Sequence, residues 1–400
     1  EIFDAETKGS IIHHFRLGLS THPVWTRLVQ SSGRASLQMR LTEARRRQEA
    51  IPSVTSLVMR ERPADARRET RVFQRGNFLA KDRLVEPGVP AVLPPLPPGP
   101  ADRLAAARWL VSPENPLTAR VFVNRIWAEI FGTGLVETLE DFGSTGQAPS
   151  HPELLDHLAV QFPSQLGWSL KALLRRLVLS STYRQDHRAT PEHLARDPRN
   201  RLLARGPRTR LTAEMIRDQA LTAAGLISRR MSGPPVMPPQ PEGVWQVVYN
   251  GAQWVTPADD NRYRRALYTY WRRTSPYPSF LTFDASSREV CTPRRVVTST
   301  PLQALVTLND PVYQEAARGL ARRLQTAGPT PEARLEWGWQ AVIGTPPRPE
   351  AITQLARLQE NALADYRERP ALAPPGSSPE EAALTLVAST LLNLDEALSK

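Results

Sequence analysis

Beyond the first hundred residues, apolar side chains recur at intervals of three and four positions. The recurrence is clearest in five segments, residues 119–130, 170–178, 213–224, 313–324 and 384–392. Residues at this spacing share one face of a helix, and an apolar face must be buried against another element. The pattern therefore predicts helices that pack together in a bundle-like core.

The first hundred residues carry a different pattern. Apolar and polar residues alternate in the second half of residues 11–19, and residues 54–59 and 70–74 also have the composition of strands. Residues 37–50 predict a short basic helix. We therefore expect a small β-containing segment. Because the chain opens inside an expected strand, we also expect it to be a fragment of a longer protein.

Prolines divide the chain into three predicted parts. Their density in residues 87–101 excludes a helix and favours an extended linker between residues 1–86 and residues 102–400. Prolines and aromatic residues also interrupt the helical pattern over residues 232–295. The predicted fold class is mainly α: a helical bundle-like domain with an irregular aromatic and proline-rich insertion, preceded by a small β-containing segment.

The charge of the chain has more than one interpretation. The 400 residues carry a formal net charge of +11, and an excess of positive charge is typical of proteins that bind nucleic acids. Only four of the 51 basic residues are lysines, however, and the arginines are scattered in short groups without a nucleic-acid-binding motif. The pattern favours a solvated, arginine-rich surface. A face that binds polyanions such as acidic polysaccharide is the second interpretation, and specific nucleic-acid recognition is the least favoured.

A single cysteine, Cys291, limits the chemistry of the chain. It excludes a disulfide framework, a thiolate zinc cluster and a Cys-x-x-Cys-His haem attachment within these residues. We expect this thiol to be a small buried side chain, because no base lies near it in the sequence. No apolar run approaches the ~20 residues that a membrane span needs. We therefore expect no cofactor, no metal site and no membrane span in this chain.

Local signals predict where three helices begin. Ser150 and Glu153 have the spacing of a capping box that starts a helix between them. Thr300 is expected to cap a second helix, and Asp310 or Asn309 to cap a third.

The first candidate site combines residues 141–146 with residues 150–157, which together contain two histidines and three carboxylates. In one interpretation, His151 belongs to a catalytic or metal-binding cluster. In the other, these residues serve only to start the helix. The spacing favours the second interpretation, because the histidines and carboxylates do not share one helical face well.

The second candidate site is the polar loop at residues 283–300. Its candidate acid or base residues are Asp284 and Glu289, and its candidate anion-binding residues are Arg288, Arg294 and Arg295. The arginines could hold a sulfate or carboxylate beside the acid or base. Alternatively, they pair with carboxylates of the protein and lock the loop, which is the interpretation we favour.

The third candidate is a concentration of aromatic side chains. Ten of the 27 aromatic residues fall between residues 245 and 283. Trp245, Trp254 and Trp271 are candidate ligand-binding residues, since aromatic side chains are frequent in ligand pockets and the interleaved arginines would suit an anionic glycan. The favoured alternative is that these rings fill the core of a segment that lacks regular helices.

Several ordered motifs resemble those of one family. Examples are Asn-Pro-Leu-Thr-Ala-Arg-Val at 115–121, Val-Asn-Arg-Ile-Trp at 123–127 and Phe-Gly-Thr-Gly-Leu-Val at 131–136. The others lie at residues 141–143, 150–156, 167–171, 180–185, 291–309 and 391–396. The family is the planctomycete-type domain of unknown function found at the C-terminal end of large secreted proteins. Ser299 and Ala397 depart from its pattern, in which asparagine and an aromatic residue are usual.

The resemblance implies a setting and not a reaction. Proteins of this family often carry an upstream cytochrome c domain and a laminin-G-like or carbohydrate-binding domain, so haem is expected only in such a domain. An extracytoplasmic location is implied as well. Arg120 and Asn124 fall within the resembling motifs, and we include them among the candidate ligand-binding residues.

Two functions of different classes follow. The leading hypothesis is an extracytoplasmic module that binds or processes complex, anionic polysaccharide beside a redox domain. If it is an enzyme, Asp284, Glu289 and His151 would form the catalytic group. The alternative is a non-catalytic scaffold that docks a redox domain or partner protein, and nucleic-acid binding is a distant third.

Overall fold

A computed structural model of the chain describes residue 23 and residues 33–51, 56–245 and 253–399. The chain divides into two compact units, Glu1–Pro87 and Gly88–Lys400. About half of the residues are helical, at 49%, and 4% lie in strands. The prediction of a mainly α protein with a small β-containing segment before the helices is confirmed.

The N-terminal unit contains one helix and one two-stranded sheet in its described part. Helix α1 (Gly33–Glu49) confirms the expected basic helix. Strand β1 (Thr70–Phe73) pairs antiparallel with β2 (Lys81–Val85), with Thr70 opposite Val85. The expected strand at residues 54–59 is wrong for residues 56–59, which form no strand. Its first two residues, and the expected strand at residues 11–19, lie outside the described part of the chain.

The helical unit contains thirteen helices among its described residues. In chain order they are α2 (Arg103–Leu110), α3 (Thr118–Phe131), α4 (Pro152–Ser164), α5 (Leu170–Val178), α6 (Pro191–Arg196), α7 (Ala213–Ala223), α8 (Pro278–Thr282), α9 (Pro301–Asn309), α10 (Pro311–Thr326), α11 (Pro331–Ile343), α12 (Pro349–Glu368), α13 (Pro379–Asn393) and α14 (Asp395–Leu398). All five predicted apolar stripes lie on these helices. None of the helices in the described part of the chain has the length and apolar character that a membrane crossing requires.

All three helices begin where they were predicted to begin, and two of the three predicted caps are confirmed. Thr300 caps α9 in a capping box with Gln303, and the Asp310 carboxylate accepts the Val312 N–H at 2.9 Å to cap α10. The predicted cap at Ser150 is wrong, because His151 occupies the N-cap position of α4 and its side chain makes no capping bond. The Ser150 N–H donates instead to the Leu135 carbonyl at 2.8 Å. The Ser150 Oγ lies 3.0 Å from the His151 Nδ1.

Two apolar clusters form the core of the helical unit. The larger one lies between α7 and the helices from α8 to α14, with Leu320, Leu324 and Leu391 among its fully buried members. Gly338 lets α11 approach α10, since a Cβ there would lie 2.6 Å from the Leu324 side chain. The smaller cluster joins α3, α4 and α5. Burial of these stripes accounts for the predicted bundle-like packing.

Two buried arginines organise part of the irregular insertion. The Arg264 guanidinium donates to the Pro234 and Ser232 carbonyls, at 2.8 and 2.5 Å. Arg217, on α7, donates to the Arg264 and Arg262 carbonyls at 2.8 and 2.9 Å. Both Arg217 and Arg264 are only 1% exposed. Their donors satisfy carbonyl groups that have no regular helix or strand in which to pair.

Candidate functional site

A surface pocket of about 450 Å³ lies between the start of α3, the loop after α3 and the start of α4. We call it the Arg120 pocket. Its apolar lining includes Pro116, Leu117, Val136, Phe142 and Leu155, and its polar lining includes Arg120, Gln147 and Asp156. Three of the stretches that carry the family resemblance, at residues 115–121, 141–143 and 150–156, therefore meet at one pocket.

Arg120 is electrically compensated within this pocket. Its Nε donates to Asp156 Oδ1 at 2.6 Å, and its Nη1 donates to the Pro116 carbonyl at 2.6 Å. The hydrogen bond from Arg120 lowers the pKa of the Asp156 carboxyl, which is therefore ionised at neutral pH. The pair is close to neutral overall, yet it still presents both N–H donors and a carboxylate acceptor.

The loop at residues 141–146 forms part of the pocket wall. The Asp141 carboxylate accepts the Gly143 N–H at 2.7 Å and the Thr145 hydroxyl. The Thr145 and Gly143 hydrogen bonds lower the pKa of Asp141. A Cβ at Gly146 would lie 2.2 Å from the Asp141 carbonyl oxygen, so the turn requires glycine there. Asp141 thus shapes the loop that carries Phe142.

Asn124 supports the pocket from within the protein. Its side chain is fully buried, donates to the Val136 carbonyl and accepts the Val136 N–H, both at 2.9 Å. These bonds fix the backbone of a residue that lines the pocket, although Asn124 itself does not line it. Asn124, a candidate ligand-binding residue, therefore holds the backbone of Val136 in place and does not itself face the pocket.

His151 lies beside the Arg120 pocket but does not line it. Its Nδ1 lies 3.0 Å from the Ser150 Oγ, and its side chain is half-buried. Within the described residues, no group of three or more histidine, cysteine, aspartate or glutamate side chains could hold a metal ion.

The polar loop at residues 283–300 is anchored by Asp284. Its carboxylate accepts the Thr298 N–H at 2.8 Å, the Thr298 hydroxyl at 2.9 Å and the Gln303 amide at 3.3 Å. Asp284 adopts φ +59°, a left-handed conformation in which the loop can reverse direction. Glu289 is exposed. Asp284 thus joins the loop to the start of α9.

The three arginines of this loop also have partners in the protein. Arg295 forms two hydrogen bonds with Glu214, at 2.6 and 2.9 Å, and Arg294 lies 3.8 Å from the Glu140 carboxylate. Burial is the largest single effect on Glu214 and would raise its pKa, but the Arg295 hydrogen bond and charge, a backbone hydrogen bond and the Thr212 hydroxyl together outweigh burial and lower the pKa. Arg288 lies over the Trp271 ring at 4.7 Å. These contacts favour the loop-locking interpretation.

Cys291 does not follow the expectation of a buried thiol. Its side chain is exposed, because the segment around it runs over the surface as an irregular loop. The expectation was wrong since local sequence does not indicate whether such a loop is covered by other elements.

The tryptophans of the insertion pack mainly as core. Trp254 stacks on the buried Tyr277 at 5.7 Å, and its Nε1 donates to the Pro238 carbonyl at 2.7 Å. Trp245 Nε1 donates to the Ser275 carbonyl at 3.1 Å, and Trp271 Nε1 donates to the Ser287 carbonyl at 3.3 Å. These indole N–H groups thus bond to the protein backbone, which favours the core interpretation.

Arg217 is a feature that the sequence-based expectations missed, although a signal was present. It lies four positions after Ala213 and four before Leu221, inside the predicted apolar stripe of α7. An arginine on an apolar face indicates a buried cation that needs acceptors. The sequence did not indicate which carbonyls would supply them.

The fold and pocket define a mainly α domain with a compact ligand-sized pocket and an irregular insertion. The chain belongs to the PSD1 family, described as a protein of unknown function (DUF1553), whose model matches residues 102–359. The match extends from the start of α2 into α12 and confirms the resemblance to a domain of unknown function. Comparisons with curated proteins and with solved structures find no significant match.

Proposed function

We propose that the helical unit is a saccharide-binding module whose ligand site is the Arg120 pocket. The observation that carries this proposal is the pairing of Arg120 with Asp156 in the lining of a mostly apolar pocket of about 450 Å³. Its volume lies within the range of pockets that enclose small ligands.

The lining matches the two kinds of surface that a sugar ring presents. Sugar C–H groups form apolar faces that can pack on Phe142 and Leu155. Sugar hydroxyls can donate to the Asp156 carboxylate and accept from Arg120 or Gln147. Because the charges of Arg120 and Asp156 compensate each other, the pocket suits a sugar ring that carries hydroxyl groups and no charge.

The geometry supports binding better than catalysis. The carboxylates of Asp141, Asp156 and Asp284 all accept hydrogen bonds from the protein. Lowering the pKa of Asp141 and Asp156 makes both poor proton donors near neutral pH. A catalytic group formed by Asp284, Glu289 and His151 would require these contacts to rearrange.

The setting is part of the same proposal. The family resemblance supports an extracytoplasmic module beside a cytochrome c or carbohydrate-binding domain of a longer protein. The net charge of +11 would draw anionic polysaccharides toward the module, while the Arg120 pocket would contact individual rings.

The test is a thermal-shift screen with neutral and carboxylated oligosaccharides at low salt and at ~0.5 M salt, where charge attraction alone is screened. With the neutral oligosaccharides, we expect a shift that persists at high salt and is lost in Gln147→Ala. Gln165→Ala is the matched control, since Gln165 is exposed directly after the end of α4 and does not line the pocket. A shift seen only at low salt, or one equally affected by both variants, would reject the proposal.

A scaffold that docks a partner domain is the second candidate. Leu302, Leu305 and Leu308 are 57%, 54% and 39% exposed and follow one face of α9. An exposed apolar face of this kind is typical of a protein interface. Leu302→Ser with Leu305→Ser should then abolish cross-linking to a separately expressed cytochrome c domain of the full-length protein, and unchanged cross-linking would exclude this face.

A further inference from the structure

A second pocket, of about 460 Å³, lies at the edge between α10 and α13. We call it the Arg318–Arg322 pocket. Its polar lining consists of Arg318, Arg322, Gln325, Ser377, Glu381 and Thr385. It shares no lining residue with the Arg120 pocket.

The packing of α10 brings two guanidinium groups to this edge. The apolar stripe of α10, including Leu320 and Leu324, is buried in the larger cluster, and α10 packs against α13. Arg318 and Arg322 are four positions apart and therefore lie one turn apart on the same face of the helix, beside that stripe. Both are exposed.

The charges of this pocket are not balanced. In the described part of the chain, the guanidinium groups of Arg318 and Arg322 take part in no ion pair and no hydrogen bond. Among the described lining residues, Glu381 is the one acidic side chain, and its carboxylate already accepts the Ser378 N–H at 3.1 Å in the capping box of α13. Like charges one turn apart destabilise a helix slightly. An anionic group between the two arginines would relieve that repulsion.

The opposite wall is a defined turn. The Ser377 N–H donates to the Pro374 carbonyl at 3.1 Å, and the Ser377 hydroxyl donates to the same oxygen at 2.5 Å. Gly376 adopts φ +77°, as the third residue of such a turn requires. Pro374 and Pro375 line the pocket together with the arginines, so their ring C–H groups are available to pack on a ligand.

We propose that the Arg318–Arg322 pocket binds a sugar acid through its carboxylate. The carboxylate lies between the Arg318 and Arg322 guanidinium groups, which offer planar pairs of N–H donors that match its two oxygens. The sugar hydroxyls bond to Thr385 and to the free acceptor capacity of Glu381, and a face of the ring packs on the proline turn. This site goes beyond the saccharide function proposed above, because it selects for charge with different residues.

The test is calorimetric titration with D-glucuronate, with D-glucose as the neutral counterpart and with inorganic phosphate and sulfate as other oxyanions, all at 0.15 M salt. We expect glucuronate to bind at least about tenfold more tightly than glucose, as charge-assisted hydrogen bonds imply. We expect phosphate and sulfate to bind more weakly than glucuronate, because neither has a ring to contact the proline turn. Phosphate or sulfate binding as tightly as glucuronate would overturn the assignment to a sugar acid.

The decisive variant is Arg318→Gln with Arg322→Gln. We expect it to lose glucuronate binding by at least about tenfold. Arg175→Gln with Arg176→Gln removes the same charge from exposed positions of α5 and should retain binding. Equal losses in both double variants would show that net charge alone attracts the ligand, and unchanged binding in the first would place the ligand elsewhere.

The outcome for this pocket can be separated from that for the Arg120 pocket. Gln147→Ala should leave glucuronate binding at Arg318 and Arg322 unchanged, while abolishing the shift assigned to the Arg120 pocket. Loss of glucuronate binding in Gln147→Ala would assign the carboxylate to the first pocket and overturn the second.

Discussion

The Arg120 pocket and the Arg318–Arg322 pocket use arginine in opposite ways. In the Arg120 pocket, the guanidinium is hydrogen-bonded to Asp156 and to the Pro116 carbonyl, so its positive charge is compensated by the protein itself. In the other pocket, the guanidinium groups of Arg318 and Arg322 have no partner among the described residues. The contrast shows that an excess of arginine does not locate a binding site. The partners of each arginine decide whether its charge is available to a ligand.

The largest expected difference between the two pockets concerns stability. Asn124→Ala would leave the buried N–H and carbonyl of Val136 without partners, at a cost of about 2–5 kcal/mol in the free energy of unfolding. Urea denaturation measures this loss. The control is Asn309→Ala, which removes an exposed amide at the end of α9 and should cost less than ~1 kcal/mol. Similar losses in both variants would contradict a special role for Asn124.

The second prediction concerns Asp310, which caps the helix that carries Arg318 and Arg322. Burial raises the pKa of the Asp310 carboxyl to about 6, against smaller opposing effects of the Val312 N–H hydrogen bond and the Arg217 charge. The folded state therefore holds this proton more tightly than the unfolded state, and the free energy of unfolding falls as the pH rises from about 4 to about 6. The ionised carboxylate costs up to roughly 3 kcal/mol above that range.

Asp310→Asn tests this prediction, since asparagine can also cap a helix and stays neutral. We expect the variant to gain stability relative to the natural chain when both are compared at pH 7.5, and to lose that advantage at pH 4. Thermal unfolding at the two pH values measures the change. A difference in unfolding free energy that does not depend on pH would show that the natural carboxyl is not the source of the effect.

The third prediction concerns the charge of the Arg120 pocket, which is the property that distinguishes it from the Arg318–Arg322 pocket. Asp156→Asn leaves Arg120 without its carboxylate partner and makes the first pocket cationic, as the second one is. In a protein that also carries Arg318→Gln and Arg322→Gln, we expect the ratio of glucuronate to glucose affinity to rise about tenfold. Titration calorimetry of this triple variant against the double variant gives the ratio. An unchanged ratio would mean that Asp156 does not set the charge preference of the pocket.

The smallest expected effect is the change in protein stability when the two arginines of the Arg318–Arg322 pocket are replaced. Arg318→Gln with Arg322→Gln should change the free energy of unfolding by less than about 0.5 kcal/mol, with a slight gain from removal of the like-charge repulsion. Chemical denaturation is the measurement. A loss of unfolding free energy above ~1 kcal/mol would indicate that Arg318 and Arg322 stabilise the fold through contacts with the protein. Their charges would then not be available to a ligand.

Much of the helical architecture was predictable from local pattern. The stripe at residues 313–324 identified the helix that carries both unpaired arginines, and Thr300 marked the start of α9. The strand that pairs with β1 was not predicted. Strand β2 begins with three charged residues, Lys81, Asp82 and Arg83, so its sequence lacks the apolar pattern that indicates a strand. Short strands without a buried face carry little signal of their own.

The candidate sites were less predictable than the helices. Arg120 was included because its motif resembles the family, but nothing in its local sequence indicated Asp156, 36 positions away, as its partner. Likewise, the local spacing around Ser150 did not indicate that its N–H would bond to the distant Leu135 carbonyl or that His151 would occupy the N-cap position. Arg318 and Arg322 looked like ordinary surface arginines until α13 and the proline turn were placed beside them.

Composition and periodicity thus determined the mainly α class, the helical stripes and membership of a family whose motifs are local in sequence. Tertiary structure alone decided which charges are compensated, because an ion pair or a shared pocket depends on segments that are far apart in the chain. Helix propensity and amphipathic spacing act over a few residues. Coulomb interactions and hydrogen bonds between side chains depend on distances in space, and these are set when the apolar stripes pack.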